Sequence, residues 1–334
     1  MSIPIIAFFN NKGGVGKTSL VYHTAWMMSE LGLRILAADL DPQCNLTAAF
    51  LDEDKLEELW PDDDDPPTTV YGAIRPLQKG VGDVTEPVLH KISDDLVLVA
   101  GDMLLSGFED ALSEAWPKCL DRDERSFRVI SSFWRVIQMG AEKHGANVVL
   151  IDLGPNLGAI NRAALIAADQ VVIPLGPDLF SLQGLKNLGP ALRGWREGWK
   201  ERLPKNPSQK LRLPPGEMRP LGYIVTQHSV RQDRPVKAYE KWVDRIPYTY
   251  RKFVLNMNVL ITRVPNIAKD PNCFSLIRHY RSLMPMAQEA RKPMFFLKPA
   301  DGAIGAHTKA VQDAYRDFQD LTKKILSSAG IIQI

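Results

Sequence analysis

One stretch near the start of the chain restricts its fold more than any other: Ile3–Ser19, IPIIAFFNNKGGVGKTS. Ile3–Phe9 is an apolar run long enough for one buried strand. Gly13, Gly14 and Gly16 then turn the chain sharply. After Lys17, Thr18 and Ser19, apolar residues recur at helical spacing (Leu20, Val21, Ala25, Met28, Leu31), and Gly32 follows as a stop. Strand, glycine loop and helix in that order form the setting in which G-x-x-x-x-G-K-[ST] cradles phosphate. The match departs only at the first glycine, where Asn11 stands. Glycines let backbone N–H groups approach phosphate oxygens, and the helix starting near Lys17 turns its positive end toward the anion. Lys17 is expected to reach the β and γ phosphates of a bound nucleotide and Thr18 to ligate Mg²⁺.

Two further strands end in carboxylates. Arg34–Ala38 runs into Asp39-Leu40-Asp41-Pro42-Gln43, and Val148–Asp152 reads VVLID. The C-terminal ends of parallel strands are where α/β sheets bind ligands, and burying such charges inside the sheet would be costly. Behind a phosphate loop, Asp152 is expected to hold Mg²⁺ through water.

Lys12, ahead of the paired glycines, is not required by a plain phosphate loop. Lys12-Gly13-Gly14-Val15-Gly16-Lys17-Thr18 resembles the deviant Walker A motif of the ParA/MinD family of ATPases. The resemblance implies that the chain forms a homodimer on binding ATP and that Lys12 reaches the partner's nucleotide. DLDPQ resembles the second family signature, with Cys44-Asn45 where Gly-Asn is usual. It implies that Asp41 orients or activates the attacking water and supports the Mg²⁺ shell, with Asp39 in a structural role. IDLGPNLG resembles the block IDxPPxLG, with Gly154 in place of a proline. Ala167–Leu185 resembles the block that follows, near the dimer interface, and Met286–Phe295 weakly resembles the segment before the last helix. By the same resemblance Thr226 and Gln227 border the adenine. Together these imply a P-loop NTPase fold: α/β, a mostly parallel twisted sheet flanked by helices, in a single domain spanning 1–334.

The chain has 334 residues, 45% hydrophobic and 24% charged, an ordinary globular mix. Its net charge of +2 hides a segregation. Gly184–Ala300 holds 23 Lys/Arg against 8 Asp/Glu, and the remainder holds 18 against 31. Such a balance suits an anionic partner, or mixes again on folding. With the resemblance, it makes nonspecific DNA binding the expectation, with Arg212, Arg219, Arg231, Arg234, Lys237, Arg245, Arg251 and Lys252 as candidate contacts. The expected activity is slow ATP hydrolysis stimulated by a ParB-like partner protein, positioning or segregating DNA or cargo. No helix-turn-helix precedes the phosphate loop in this sequence, so specific operator binding is not expected.

Three rival classes are weighed. A membrane-surface ATPase is disfavoured because the tail AGIIQI lacks basic amphipathic character, and no run approaches the roughly 18 apolar residues of a span. An iron–sulfur reductase relative needs a suitable cysteine pair, which Cys119 and Cys273 do not supply. A nucleotide switch acting on protein cargo alone remains the alternative. Three widely spaced cysteines and no cleavable leader fit a cytoplasmic protein; the resemblance implies nucleoid association when ATP-bound.

Elsewhere, 51–82 reads as an irregular segment with an acidic loop at Asp62–Asp65. Leu96–Val99 reads as a strand, and Met103–Ala115, Ser126–His144 and Leu185–Arg202 as helices, the last with Trp195 and Trp199 as a packing stripe. Pro204–Pro220 is a loop and Leu221–Thr226 a strand. Val230–Met257 is expected to add one or two basic helices, Val259–Arg263 the last strand, and Ala306–Leu326 a final helix that docks on the sheet.

Overall fold

The computed structural model describes residues 2–60, 67–228, 241–258, 266–278, 280 and 282–331. Its strands are the short aliphatic runs of the sequence: β1 (Ile5–Phe8), β2 (Ile35–Asp39), β3 (His90–Lys91), β4 (Leu96–Val99), β5 (Val148–Asp152), β6 (Gln170–Leu175), β7 (Arg219–His228) and β8 (Cys273–Arg278). They form one sheet in the order β3-β4-β2-β5-β1-β6-β7-β8. Only β3 runs antiparallel to its neighbour; the other pairs are parallel. Every residue of β1, β2, β4, β5 and β6 is buried. That burial is why these strands read as continuous apolar runs: a parallel sheet is covered on both faces.

The pleat divides them into two cores. Ile5, Ala7, Leu36, Ala38, Val149 and Ile151 face one way; Ile6, Phe8, Ile35, Ala37, Val148 and Leu150 face the other. On the second face lie α1 (Lys17–Glu30), α2 (Asn45–Phe50), α3 (Glu53–Leu59) and the C-terminal helix Ala306–Ala329. The first face is covered by α4 (Val70–Gln78), α5 (Glu109–Lys118), α6 (Glu124–Ile130), α7 (Ser132–His144), α8 (Ala159–Ala167) and α9 (Leu179–Arg202). The C-terminal helix buries Ala314, Phe318, Leu321 and Ile325, four members of one apolar stripe at helical spacing whose first member, Ala310, is half-buried.

Several expectations are corrected. The segment 51–82 is not irregular where it is described. Asp52 caps α3 by accepting from Lys55 N (3.0 Å), and Thr69 caps α4 by accepting from Gly72 N (3.3 Å). Charge in α3 and Pro76 inside α4 hid the two helices. Asp62–Asp65 lie outside the described residues. Ser126–His144 is two helices, α6 and α7, broken at buried Ser131, whose hydroxyl donates to Phe127 O (2.7 Å). Met103–Phe108 is a 3-10 turn before α5. Val259–Arg263 lies outside the described residues; the last described strand is β8, whose mixed polarity carries no clear strand signal.

Of Val230–Met257, the described part contains a short helix, Ile246–Thr249, running into a π-turn, Tyr250–Val254. The turn is seated on α9. A Cβ on Gly189 would lie 1.9 Å from Phe253 O, so only glycine admits this approach. Arg193 Nη1 donates to Phe253 O (2.6 Å) and Val254 O (3.3 Å), satisfying carbonyls that the wider turn leaves free. Trp199 is fully buried and donates Nε1 to Pro214 O (2.9 Å), a packing role as read.

Candidate nucleotide site

The loop between β1 and α1 turns through left-handed Gly14 (φ 70°) and Gly16 (φ 77°). This geometry needs glycine, and it aims the start of α1 into a cavity of about 670 Å³. Gly13, Gly14, Gly16, Lys17, Thr18, Ser19 and Asp41 line the cavity. Lys17 is 7% exposed, and its Nζ donates to Lys12 O (3.2 Å). Burial lowers its pKa, opposed by the charges of Asp152 and Asp41. A buried ammonium with two carboxylates at hand is ready for a polyanion.

Asp39 and Asp152 pair in register at the ends of β2 and β5. By the alternation of the pleat both point to the α1 face. Both are fully buried. Asp39 is satisfied: its Oδ2 accepts from Thr47 N and Thr47 Oγ1 (both 2.8 Å), and its Oδ1 accepts from Asp41 N (3.2 Å). Among the described residues no backbone amide bonds Asp152; the donors near it are the Thr18 hydroxyl and the Lys17 ammonium. Burial raises the Asp152 pKa, and the nearby charge of Asp39 adds to the rise; the Thr18 hydroxyl and Lys17 oppose it. Asp41 is 6% exposed and accepts from Gln43 N (3.0 Å). A Cβ on Gly154 would lie 3.1 Å from Asp41 Oδ1, so the residue that replaces a proline here gives Asp41 room. Cys44 sits in left-handed backbone (φ 55°), 2% exposed, its thiol pKa raised by burial, a packed group rather than a reactive one.

Lys12 takes a different direction. Its Nζ bonds Asp178 Oδ2, and Asp178 caps α9 by accepting from Ser181 N (3.0 Å). Lys12 N donates to Asn10 Oδ1 (3.0 Å), and Asn10 Nδ2 to Pro174 O (2.7 Å). The two lysines of the loop therefore serve different surroundings, Lys17 in the cavity and Lys12 at the head of α9.

Thr226 is placed behind the loop. Its hydroxyl lies 2.9 Å from Val15 O and 3.3 Å from Leu175 O, which makes it a brace of the loop. Gln227 belongs to β7, and its side chain lies outside what the structure describes. The far wall of the cavity comes instead from Tyr22, His23, Asn45 and the segment Met284–Lys292, including Gln288 and Arg291. Sequence reasoning missed these; the weak family match at Met286–Phe295 was the available signal. His23 accepts from Met294 N at Nε2 (3.2 Å), so Nδ1 donates to Ser19 O (2.7 Å). The ring stacks on Phe318, centroids 4.8 Å apart, and burial pushes its pKa down to about 4. A neutral histidine thus ties α1 to the C-terminal wall.

The basic residues are scattered. Arg212 is exposed but paired with Glu142 (3.1 Å); Arg219 is exposed at the start of β7. Arg245 lies over Trp242 (5.4 Å) and Lys252 over Tyr248 (5.4 Å). Arg251 is spent internally, its Nη2 on fully buried Asp270 (2.6 Å), which also accepts from Tyr223 OH (2.7 Å). A cation committed in this way is not free for phosphate, a correction to its place in the candidate set. Arg231, Arg234 and Lys237 lie outside the described residues.

A family model described as an AAA domain (AAA_31) matches residues 3–204. The chain belongs to the ParA family of ATPases. Among its relatives is the chromosome-partitioning ATPase Soj of Thermus thermophilus, 26% identical over 303 residues, covering 85% of this chain and 97% of Soj. A putative replication protein A of Rhizobium rhizogenes is 31% identical over 183 residues, 55% of this chain and 42% of that protein. Protein DIP2308 of Corynebacterium diphtheriae shares the fold at a TM-score of 0.72 and 23% identity, with 98% of each chain covered. Cyanothece McdA, solved with ATP as a D38A variant, shares it at 0.63 and 14%, covering 100% of this chain and 98% of McdA. The ParA-family P-loop fold expected from the sequence is thus the observed one. No described helix is long and apolar enough to cross a membrane.

Proposed function

We propose that this ParA-family chain is a slow ATP hydrolase working as an ATP-gated homodimer that binds DNA nonspecifically and positions or segregates DNA or cargo. The single observation that carries the reading is the division of labour between the two loop lysines. Gly13–Ser19 would hold the triphosphate, with Lys17 compensating its charge. Lys12, outside the cavity, would leave Asp178 for a second subunit's nucleotide. Asp41 would orient the attacking water.

The residues fit a magnesium ion. Asp152 is a buried carboxylate with no amide on it, beside the Thr18 hydroxyl. Among the described residues no cluster of three His, Cys, Asp or Glu could hold a metal alone. That suits a cation that keeps several waters and takes substrate phosphates as ligands. Thr18 and Asp152 would hold it, with Asp41 in support, and bound Mg²⁺ would neutralise phosphate charge. A ParB-like partner would stimulate turnover, and the protein would be cytoplasmic and nucleoid-associated when ATP-bound.

Light scattering with and without ATP and Mg²⁺ tests the dimer. Lys17→Ala should abolish nucleotide binding; Lys12→Ala should keep binding but lose dimerisation and turnover. Normal hydrolysis by Lys12→Ala would overturn the cross-subunit role. DNA affinity in filter binding with ATP should fall with salt. The second reading is a switch acting on a protein complex or membrane-surface cargo without DNA. It is favoured by the ion pairs that acids outside the basic stretch make with it, Glu142 with Arg212 and Asp301 with Lys292. Pull-down of protein partners with Asp41→Ala, in the absence of DNA affinity, would select it.

A further inference from the structure

A second cavity, of about 340 Å³, lies at the opposite end of the sheet from the phosphate loop. Gln138 fixes its position. This side chain lines the cavity and bonds Ile3 N (2.9 Å) and Ile3 O (2.8 Å), just before β1, whereas the phosphate loop follows β1.

The wall is cationic. Arg128 of α6, Arg135 of α7, and Lys210 and Arg212 of the loop before β7 contribute to it, with one carboxylate, Asp83. Arg135 grips Asp83 through both Nη atoms (2.8 and 2.7 Å), and Arg128 Nη1 bonds the same carboxylate. That network props the two guanidinium groups in fixed positions. Arg128 is also held by Glu124. Arg212 lies over the ring of Trp134 (5.5 Å) and pairs with Glu142 across an exposed contact. Such exposed pairs contribute little, so Arg212 can be recruited by a better anion.

Two donors of the lining residues are unspent. Trp134 Nε1 and Arg135 Nε have no hydrogen-bond partner, although Trp134 is 5% exposed and the Arg135 side chain 12%. Buried N–H groups normally have acceptors, and an oxyanion is the acceptor that a cationic wall attracts.

We propose that this cavity is a binding site for a small phosphate monoester, separate from the ATP site. The Arg212 guanidinium, held only by an exposed ion pair, matches phosphate oxygens, and Lys210 adds an ammonium at the rim; Arg128 and Arg135, whose forks are committed to Asp83, contribute positive charge. The cavity has about half the volume of the nucleotide cavity and falls within the range of small-molecule sites, enough for a nucleoside monophosphate. Trp134 is too buried to stack on a base, so recognition is of the phosphate group.

The test is calorimetric titration with inorganic phosphate and with AMP. It uses the full chain saturated with AMPPNP and Mg²⁺, and in parallel Lys17→Ala protein, so the phosphate loop cannot be the site. Saturable one-to-one binding of at least one probe is expected in both. Arg135→Gln should weaken it at least tenfold. The rim pair Lys210→Ala/Arg212→Ala, at exposed positions, should weaken it at least threefold with the melting temperature unchanged. No saturable binding up to about 10 mM probe would overturn the site. Binding indifferent to both variants would overturn it too. Displacement of the bound probe by a short DNA duplex would mark the wall as a DNA contact and equally overturn a small-ligand site.

Discussion

Asp39 closes β2 and Asp152 closes β5, paired in register, both fully buried and both on the α1 face. Their surroundings diverge one residue later. After β2 the chain enters α2 within a few residues, and the Thr47 amide and hydroxyl turn back onto Asp39. After β5 it passes through Leu153-Gly154-Pro155, where proline offers no N–H, and is pinned away from Asp152. Asn161 Nδ2 holds Gly154 O (2.9 Å), and Glu109 Oε2 accepts from Ile160 N (2.8 Å). One carboxylate is therefore built into the fold and the other is left without an amide on it. A buried carboxylate held by no amide is costly to ionise, so its retention marks a group kept for a ligand rather than for stability.

The largest expected effect separates the two roles. Asp152→Asn should lower ATP turnover about a hundredfold or more while nucleotide still binds, and should leave the nucleotide-free protein as stable or more so in thermal melts. A destabilised Asn variant would break the comparison. Asp39→Ala should do the reverse, leaving three donors unpaired and costing about 3 kcal/mol in urea unfolding. Thr47→Val removes the hydroxyl that bonds Asp39 and accepts from Gly101 N (2.8 Å), for a loss of about 1–2 kcal/mol.

The smallest effect is in pH. Burial raises both carboxylate pKa values in the folded chain. The folded state then keeps protons that the unfolded state has released. Stability without nucleotide should be full below the ordinary carboxylate range near pH 4 and should fall as pH rises toward neutrality, by at most about 1.4 kcal/mol per pH unit per group. Asp152→Asn should flatten that slope; melts over the same pH range check it, and an unchanged slope would assign the effect to Asp39.

Contiguous residues determined the phosphate loop, the strands ending in Asp39 and Asp152, and the apolar stripe of the C-terminal helix. Glycine conformations, pleat alternation and helical spacing are local properties, and they are written in neighbouring positions. Leu51–Gly82 misled because Pro76 and the charges of α3 mask helices whose caps only the folded chain displays. Arg251 counted as a surface charge until tertiary packing set it on Asp270. The tether of Lys12 to Asp178 spans 166 positions, and the contrast between Asp39 and Asp152 depends on where two unrelated loops send their amides. Tertiary structure decided these, because a side chain's partner and its solvation are set by whatever the rest of the chain brings beside it.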